Sequence, residues 1–143
     1  MEKVNVIFWS QTGNTEAMAE AVGKGVKDAG KEANVLVVSE ASLDELKNAN
    51  GFALGCPAMG AEVLEETEME PFVVEVEKFA SGKMVALFGS YGWGDGMRMR
   101  EWVERMQACG ATVVNGEGVI CAGEPDGDAL AACEELGKAL AAL

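Results

Sequence analysis

Two glycine-punctuated segments carry the chemistry available to this sequence. Ser10-Gln11-Thr12-Gly13-Asn14-Thr15 and Ser90-Tyr91-Gly92-Trp93-Gly94-Asp95-Gly96 each follow a short apolar run and lead into a helical pattern. The first gathers hydroxyl and carboxamide side chains with no positive charge. At a helix N-terminus the outward backbone N–H groups and the helix dipole attract a phosphate. Ser10, Thr12 and Thr15 can add side-chain hydrogen bonds, and Gly13 permits the positive φ of a tight anion nest. An ordinary strand-to-helix turn capped by Asn14 or Thr15 is the plainer alternative. In the second segment Trp93 stands between Gly92 and Gly94, near Tyr91. Glycines on both sides let the backbone bend sharply and present the indole for stacking on a flat ring; an indole folded back over the next helix is the alternative. Neither a Walker loop nor a dinucleotide fingerprint is present.

The elements around these loops must bring them together. Lys3–Trp9 is apolar and β-branched, so it reads as a buried strand. Met18, Ala21, Val22, Gly25, Val26 and Ala29 then recur at helical spacing up to Gly30. Residues 34–38 form a second strand, Ser42 opens a short helix, and Gly51–Gly55 is a third strand. Phe72, Val73, Val76 and Phe79 give a helix over 71–79, and residues 83–89 a fourth strand. A helix over 98–109 leads to a fifth strand, 111–114 with 119–121, interrupted by Gly116 and Gly118. An alanine-rich helix covers 126–143.

Five strands alternating with five helices imply an α/β fold, a doubly wound parallel sheet with helices on both faces. Ligands of such sheets sit beyond the carboxyl ends of the strands. Both glycine segments, and the loop Cys56-Pro57-Ala58-Met59-Gly60, follow strands one, four and three. All three therefore converge on one edge. A phosphate cradle beside a platform for a flat ring suits a phosphorylated aromatic cofactor, and FMN is the one we expect.

Composition narrows the classes. A chain of 143 residues, half of them apolar, is expected to be one folded domain spanning 1–143. The apolar runs fall short of a membrane span, and the N-terminus lacks a secretory leader pattern, so the cytoplasm is the expected compartment. Cys56, Cys109, Cys121 and Cys133 are scattered and histidine is absent, which argues against zinc and iron–sulfur sites and against hydrolysis by a histidine base. The net charge of −13 repels nucleic acid and anionic membranes. Glu62, Glu65, Glu66, Glu68 and Glu70 crowd into one stretch after the third strand, an acidic rim suited to steering basic proteins.

The segments Ser10–Glu16, Gly55–Gly60 and Phe88–Gly96 closely resemble the short-chain flavodoxins of anaerobic bacteria, in the same order and with similar spacing over nearly the whole chain. The resemblance implies a five-stranded parallel sheet in order 2-1-3-4-5 and non-covalent binding of FMN. It also implies an electron carrier rather than an enzyme, and a monomer. On this resemblance Ser10, Gln11, Thr12, Gly13, Asn14 and Thr15 wrap the FMN phosphate and Ser90 reaches toward it. Trp93 stacks on the outer face of the flavin, and Met59 covers the inner face. Gly60 supplies a peptide that flips on one-electron reduction, and Glu62 pairs with the pyrimidine edge. Pro57, Ala58, Tyr91, Gly92 and Gly94 complete the cofactor-binding set.

Two positions depart from near relatives. Gln11 replaces a common glycine, and Ala61 stands where a polar residue is frequent. The implied mechanism is a low-potential shuttle between semiquinone and hydroquinone, because apolar flanks and carboxylates disfavour the anionic hydroquinone. Electrons would pass between basic-surfaced reductases and acceptors docking on the acidic rim. A small FMN-dependent NAD(P)H quinone or nitro reductase is the alternative, and a module dedicated to one partner is another.

Overall fold

Period-two alternation divides the strand residues between two helical layers. In β1 (Lys3–Phe8), Val4, Val6 and Phe8 join one core cluster while Ile7 joins the other. In β3 (Gly51–Gly55), Phe52 and Leu54 lie on the Ile7 side and Ala53 on the opposite one; in β4 (Met84–Tyr91), Val85 and Leu87 oppose Ala86 and Phe88. Central strands with both faces buried are what a parallel sheet covered by helices requires. The structure, a computed structural model, describes residues 3–9, 13–56, 68–91, 97–122 and 125–142.

Helices α1 (Asn14–Asp28) and α5 (Gly127–Ala141) cover the Val4–Phe8 face. The other face carries α2 (Leu43–Asn48), α3 (Met69–Glu77) and α4 (Met97–Ala108). β2 (Glu32–Val37) and β1 pair in parallel with Asn5 opposite Asn34, and the Asn34 carboxamide donates to Asn5 Oδ1 at 2.8 Å. The order is β2-β1-β3-β4, followed by a split edge strand made of β5 (Thr112–Val113) and β6 (Val119–Ala122). Both pieces pair in parallel with β4, so the expected fifth strand with its glycine interruption is observed. The break falls where Asn115 and Gly116 take positive φ, 63° and 74°.

The helix limits follow from local chemistry. At the end of α1, Lys31 N–H reaches the Val26 carbonyl (3.2 Å) and Gly30 N–H reaches that of Lys27 (2.9 Å). This double closure needs a left-handed residue, and Gly30 sits at φ 89°. Ser42 caps α2 by accepting from Glu45 N–H, and Asp126 caps α5 by accepting from Ala129 N–H. α3 starts at Met69, ahead of the expected Pro71, because proline in a first turn gives up an N–H that has no intrahelical partner.

Helices α1 and α5 meet at very close range. A Cβ on Gly25 would fall on the carbonyl oxygen of Glu134, and one on Gly137 on that of Val22. The two helices meet backbone to backbone at a reciprocal pair of glycines. Helix propensity alone says that Gly25→Ala stabilises by about 1 kcal/mol. Overpacking against a fixed carbonyl costs about 1–3 kcal/mol, so packing decides the sign. Gly25→Ala and Gly137→Ala are each expected to lower the urea midpoint of the apoprotein. A raised midpoint would show that the helices do not meet this closely.

Candidate functional site

The candidate site is built on the register of three strands. Phe8 pairs with Gly55 and Gly55 with Phe88, so β1 and β3 end level while β4 continues beyond them to Tyr91. Two hydrogen bonds extend the alignment beyond the ladder: Trp9 N–H to the Gly55 carbonyl (3.0 Å) and Cys56 N–H to the Phe88 carbonyl (3.1 Å). Gly89 is required here, because a side chain would strike the Cys56 carbonyl oxygen. Cys56, the residue after β3, thus lies directly against β4. The segments that follow Trp9, Cys56 and Tyr91 therefore depart from one edge, as the strand pattern predicts.

α1 rises from this edge. Its N-cap is Gly13, at φ 92°, with no side-chain cap; the expected Asn14 or Thr15 cap is corrected. Asn14 is instead the first helical residue and Thr15 the second. The consequence is chemical. Thr15 spends its hydroxyl elsewhere: Thr15 Oγ1 and Ser90 Oγ share a hydrogen bond of 3.1 Å. Both residues are buried, at 1% and 6% exposure, and they come from α1 and β4, 75 positions apart. Two buried hydroxyls thus stand at a helix N-terminus whose capping residue brings no carboxylate. Such a corner has donors for an anionic oxygen and a favourable dipole.

Thr15 and Ser90 are the sequence-predicted residues that the structure joins; Gly13 and Asn14 adjoin them along α1. Tyr91 is the last residue of β4. Ser10, Gln11, Thr12, Pro57, Ala58, Met59, Gly60, Glu62, Gly92, Trp93 and Gly94 lie outside the described residues, as do Glu65 and Glu66 of the acidic stretch. Glu70 is described, and its carboxylate is engaged: Arg105 Nη1 donates to it at 2.7 Å. Part of the expected acidic rim is therefore internally balanced.

The sequence pattern did not point to Cys121. It pairs with Ser90 across β4 and β6, and its thiol donates to Met18 Sδ of α1 at 3.5 Å. Burial, with a smaller contribution from Asp126, pushes this thiol's pKa up. Burial pushes Cys133 further, to about 12, with Cys121 and Glu134 adding to it. Both thiols stay protonated at neutral pH and are poor nucleophiles. Only the register of β6 with β4 would have revealed this neighbour.

The Flavodoxin family model matches residues 6–137. The chain is 51% identical over 138 residues to a flavodoxin of Clostridium beijerinckii, covering 96% of this chain and 99% of that one. It is 41% identical over 138 residues to a flavodoxin of Megasphaera elsdenii, covering 96% and 98%. Among solved structures, that of two-electron reduced Megasphaera elsdenii flavodoxin superposes with a TM-score of 0.89, covering 98% of this chain and 99% of that chain.

The buried hydroxyl pair makes a prediction independent of any ligand. Ser90→Ala leaves Thr15 Oγ1 without this partner, a loss expected to destabilise the apoprotein by about 1–3 kcal/mol. A double-mutant cycle with Thr15→Val, read by urea denaturation, should show positive coupling. Strict additivity would mean that the two hydroxyls do not interact.

Proposed function

The chain belongs to the flavodoxin family, and on that premise we propose that its site holds FMN at the carboxyl edge of β1, β3 and β4. The protein is an FMN-binding electron carrier and not itself an enzyme. The observation that supports the placement is the buried Thr15–Ser90 hydroxyl pair at the start of α1. It fits a phosphate in three respects. The donors are desolvated, the helix dipole points the right way, and Gly13 lets the chain turn tightly in front of them. In this reading Ser10, Gln11, Thr12, Gly13, Asn14 and Thr15 enclose the phosphate with Ser90 beside it.

The segments beyond β3 and β4 then flank the ring. We assign Met59 and Trp93 to its two faces, Gly60 to a backbone carbonyl at its edge and Glu62 to its pyrimidine end. Pro57, Ala58, Tyr91, Gly92 and Gly94 complete the lining. FMN, when bound, supplies one-electron redox chemistry. The residues supply an uncharged cradle, exclude water from the ring, and place carboxylates where added negative charge is disfavoured, which favours low potential. The nearby relatives named above are flavodoxins, and this favours the carrier over the quinone or nitro reductase.

As a carrier the protein has redox partners. We read the surplus of carboxylates, with a net charge of −13, as steering basic-surfaced reductases and acceptors toward Glu62, Glu65, Glu66 and Glu68. Among the described residues no helix is long and apolar enough to cross a membrane. We place the carrier in the cytoplasm, as one domain spanning 1–143 and acting as a monomer.

The phosphate assignment is tested by comparing FMN with riboflavin, which lacks the phosphate. Thr15→Val and Ser90→Ala are expected to weaken FMN binding about tenfold or more, while riboflavin affinity changes about twofold or less. Titration by flavin fluorescence quenching measures both. Equal losses for the two ligands would remove the hydroxyl pair from the phosphate.

A further inference from the structure

We infer that Arg105 is a positioning residue that fixes the register of α3 against α4, the two helices into which the flavin-flanking segments lead. The inference rests on the FMN placement above. Segment 57–67 runs into α3 at Met69, and segment 92–96 runs into α4 at Met97. Arg105 lies in the C-terminal half of α4. Its guanidinium reaches across to α3.

There the guanidinium divides. Nη1 donates to Glu70 Oε2 at 2.7 Å and Nη2 donates to Glu77 Oε1 at 2.8 Å. Glu70 lies in the first turn of α3 and Glu77 is its last residue. One planar fork therefore pins both ends of a nine-residue helix to its neighbour. The three side chains are 28%, 40% and 28% exposed, partly sheltered from screening by solvent. Lysine, a single point charge, cannot reproduce such a fork. Apolar residues of both helices, Phe72, Val73 and Val76 of α3 and Trp102, Val103 and Met106 of α4, belong to one core cluster. Apolar packing sets how close the helices come but tolerates sliding, whereas the fork fixes their register.

The two arms of the fork provide an internal control. They are alike in length and charge and differ in which end of α3 they hold. Glu70→Gln frees the end next to segment 57–67, and Glu77→Gln frees the far end. Urea denaturation of the two apoproteins should show similar losses. The expected difference is in cofactor binding. Glu70→Gln should raise the FMN dissociation constant about fivefold and shift the reduction potential of the bound flavin, while Glu77→Gln changes the constant less than about twofold. Measurement in high salt, where the Debye length is about 3–5 Å, screens the charge removed and leaves the positional effect. Arg105→Lys, which keeps the charge but loses the fork, should match Glu70→Gln and serves as the second variant if that one folds poorly.

Equal effects of Glu70→Gln and Glu77→Gln on FMN, or no effect of either, would overturn the positioning role and leave the fork a purely structural tie. Wild-type protein that fails to bind FMN is a different result. It overturns the FMN placement itself, and this inference with it.

Discussion

The structure depends on the register of three parallel strands at their carboxyl edge. Phe8, Gly55 and Phe88 lie side by side, and the hydrogen bonds from Trp9 and Cys56 carry that alignment past the ladder. A parallel sheet buried on both faces cannot slip by one residue, because the slip would turn every apolar side chain to the wrong helical layer. Val4, Val6 and Phe8 need α1 and α5; Phe52, Leu54, Val85 and Leu87 need α2 to α4. The register that satisfies the core is the same one that brings the ends of β1, β3 and β4 together. Burial of apolar surface thus places the site, and the polar groups at the edge only complete it.

A side-chain hydrogen bond ties α1 to that edge. Thr15 belongs to the helix after β1, Ser90 to β4, and both are desolvated. Leaving either without a partner costs more than the bond gains, so the two elements are held in one relation. The α1–α5 contact supports α1 from behind, through Gly25 and Gly137, and Lys24 bridges Asp28 and Glu134 on the exposed rim of the same contact. The exposed bridge contributes little by comparison with the packing.

Much of this was legible in the residues. Period-two apolar runs gave the strands, three- and four-residue spacing gave the helices, and the glycine segments fell where the topology puts ligands. The order 2-1-3-4-5 came from the family resemblance and is what the sheet shows. The rest was long-range. Gly25 and Gly137 look like weak points in helices until the partner backbone is seen against them. Glu70 reads as a free rim carboxylate until Arg105, 35 positions away, is found holding it. Thr15 reads as a cap, yet Gly13, at φ 92°, takes that place and the Thr15 hydroxyl turns to Ser90 instead. Local pattern records what a residue tends to do; the partner across the fold decides what it does.

The central claim is that this edge holds FMN as a one-electron carrier. Its most direct test is the visible spectrum of the FMN-loaded protein during stepwise anaerobic reduction. The account predicts a broad long-wavelength absorption that rises at intermediate reduction and then falls. Direct bleaching of the flavin in a single step, with no such band, would contradict it.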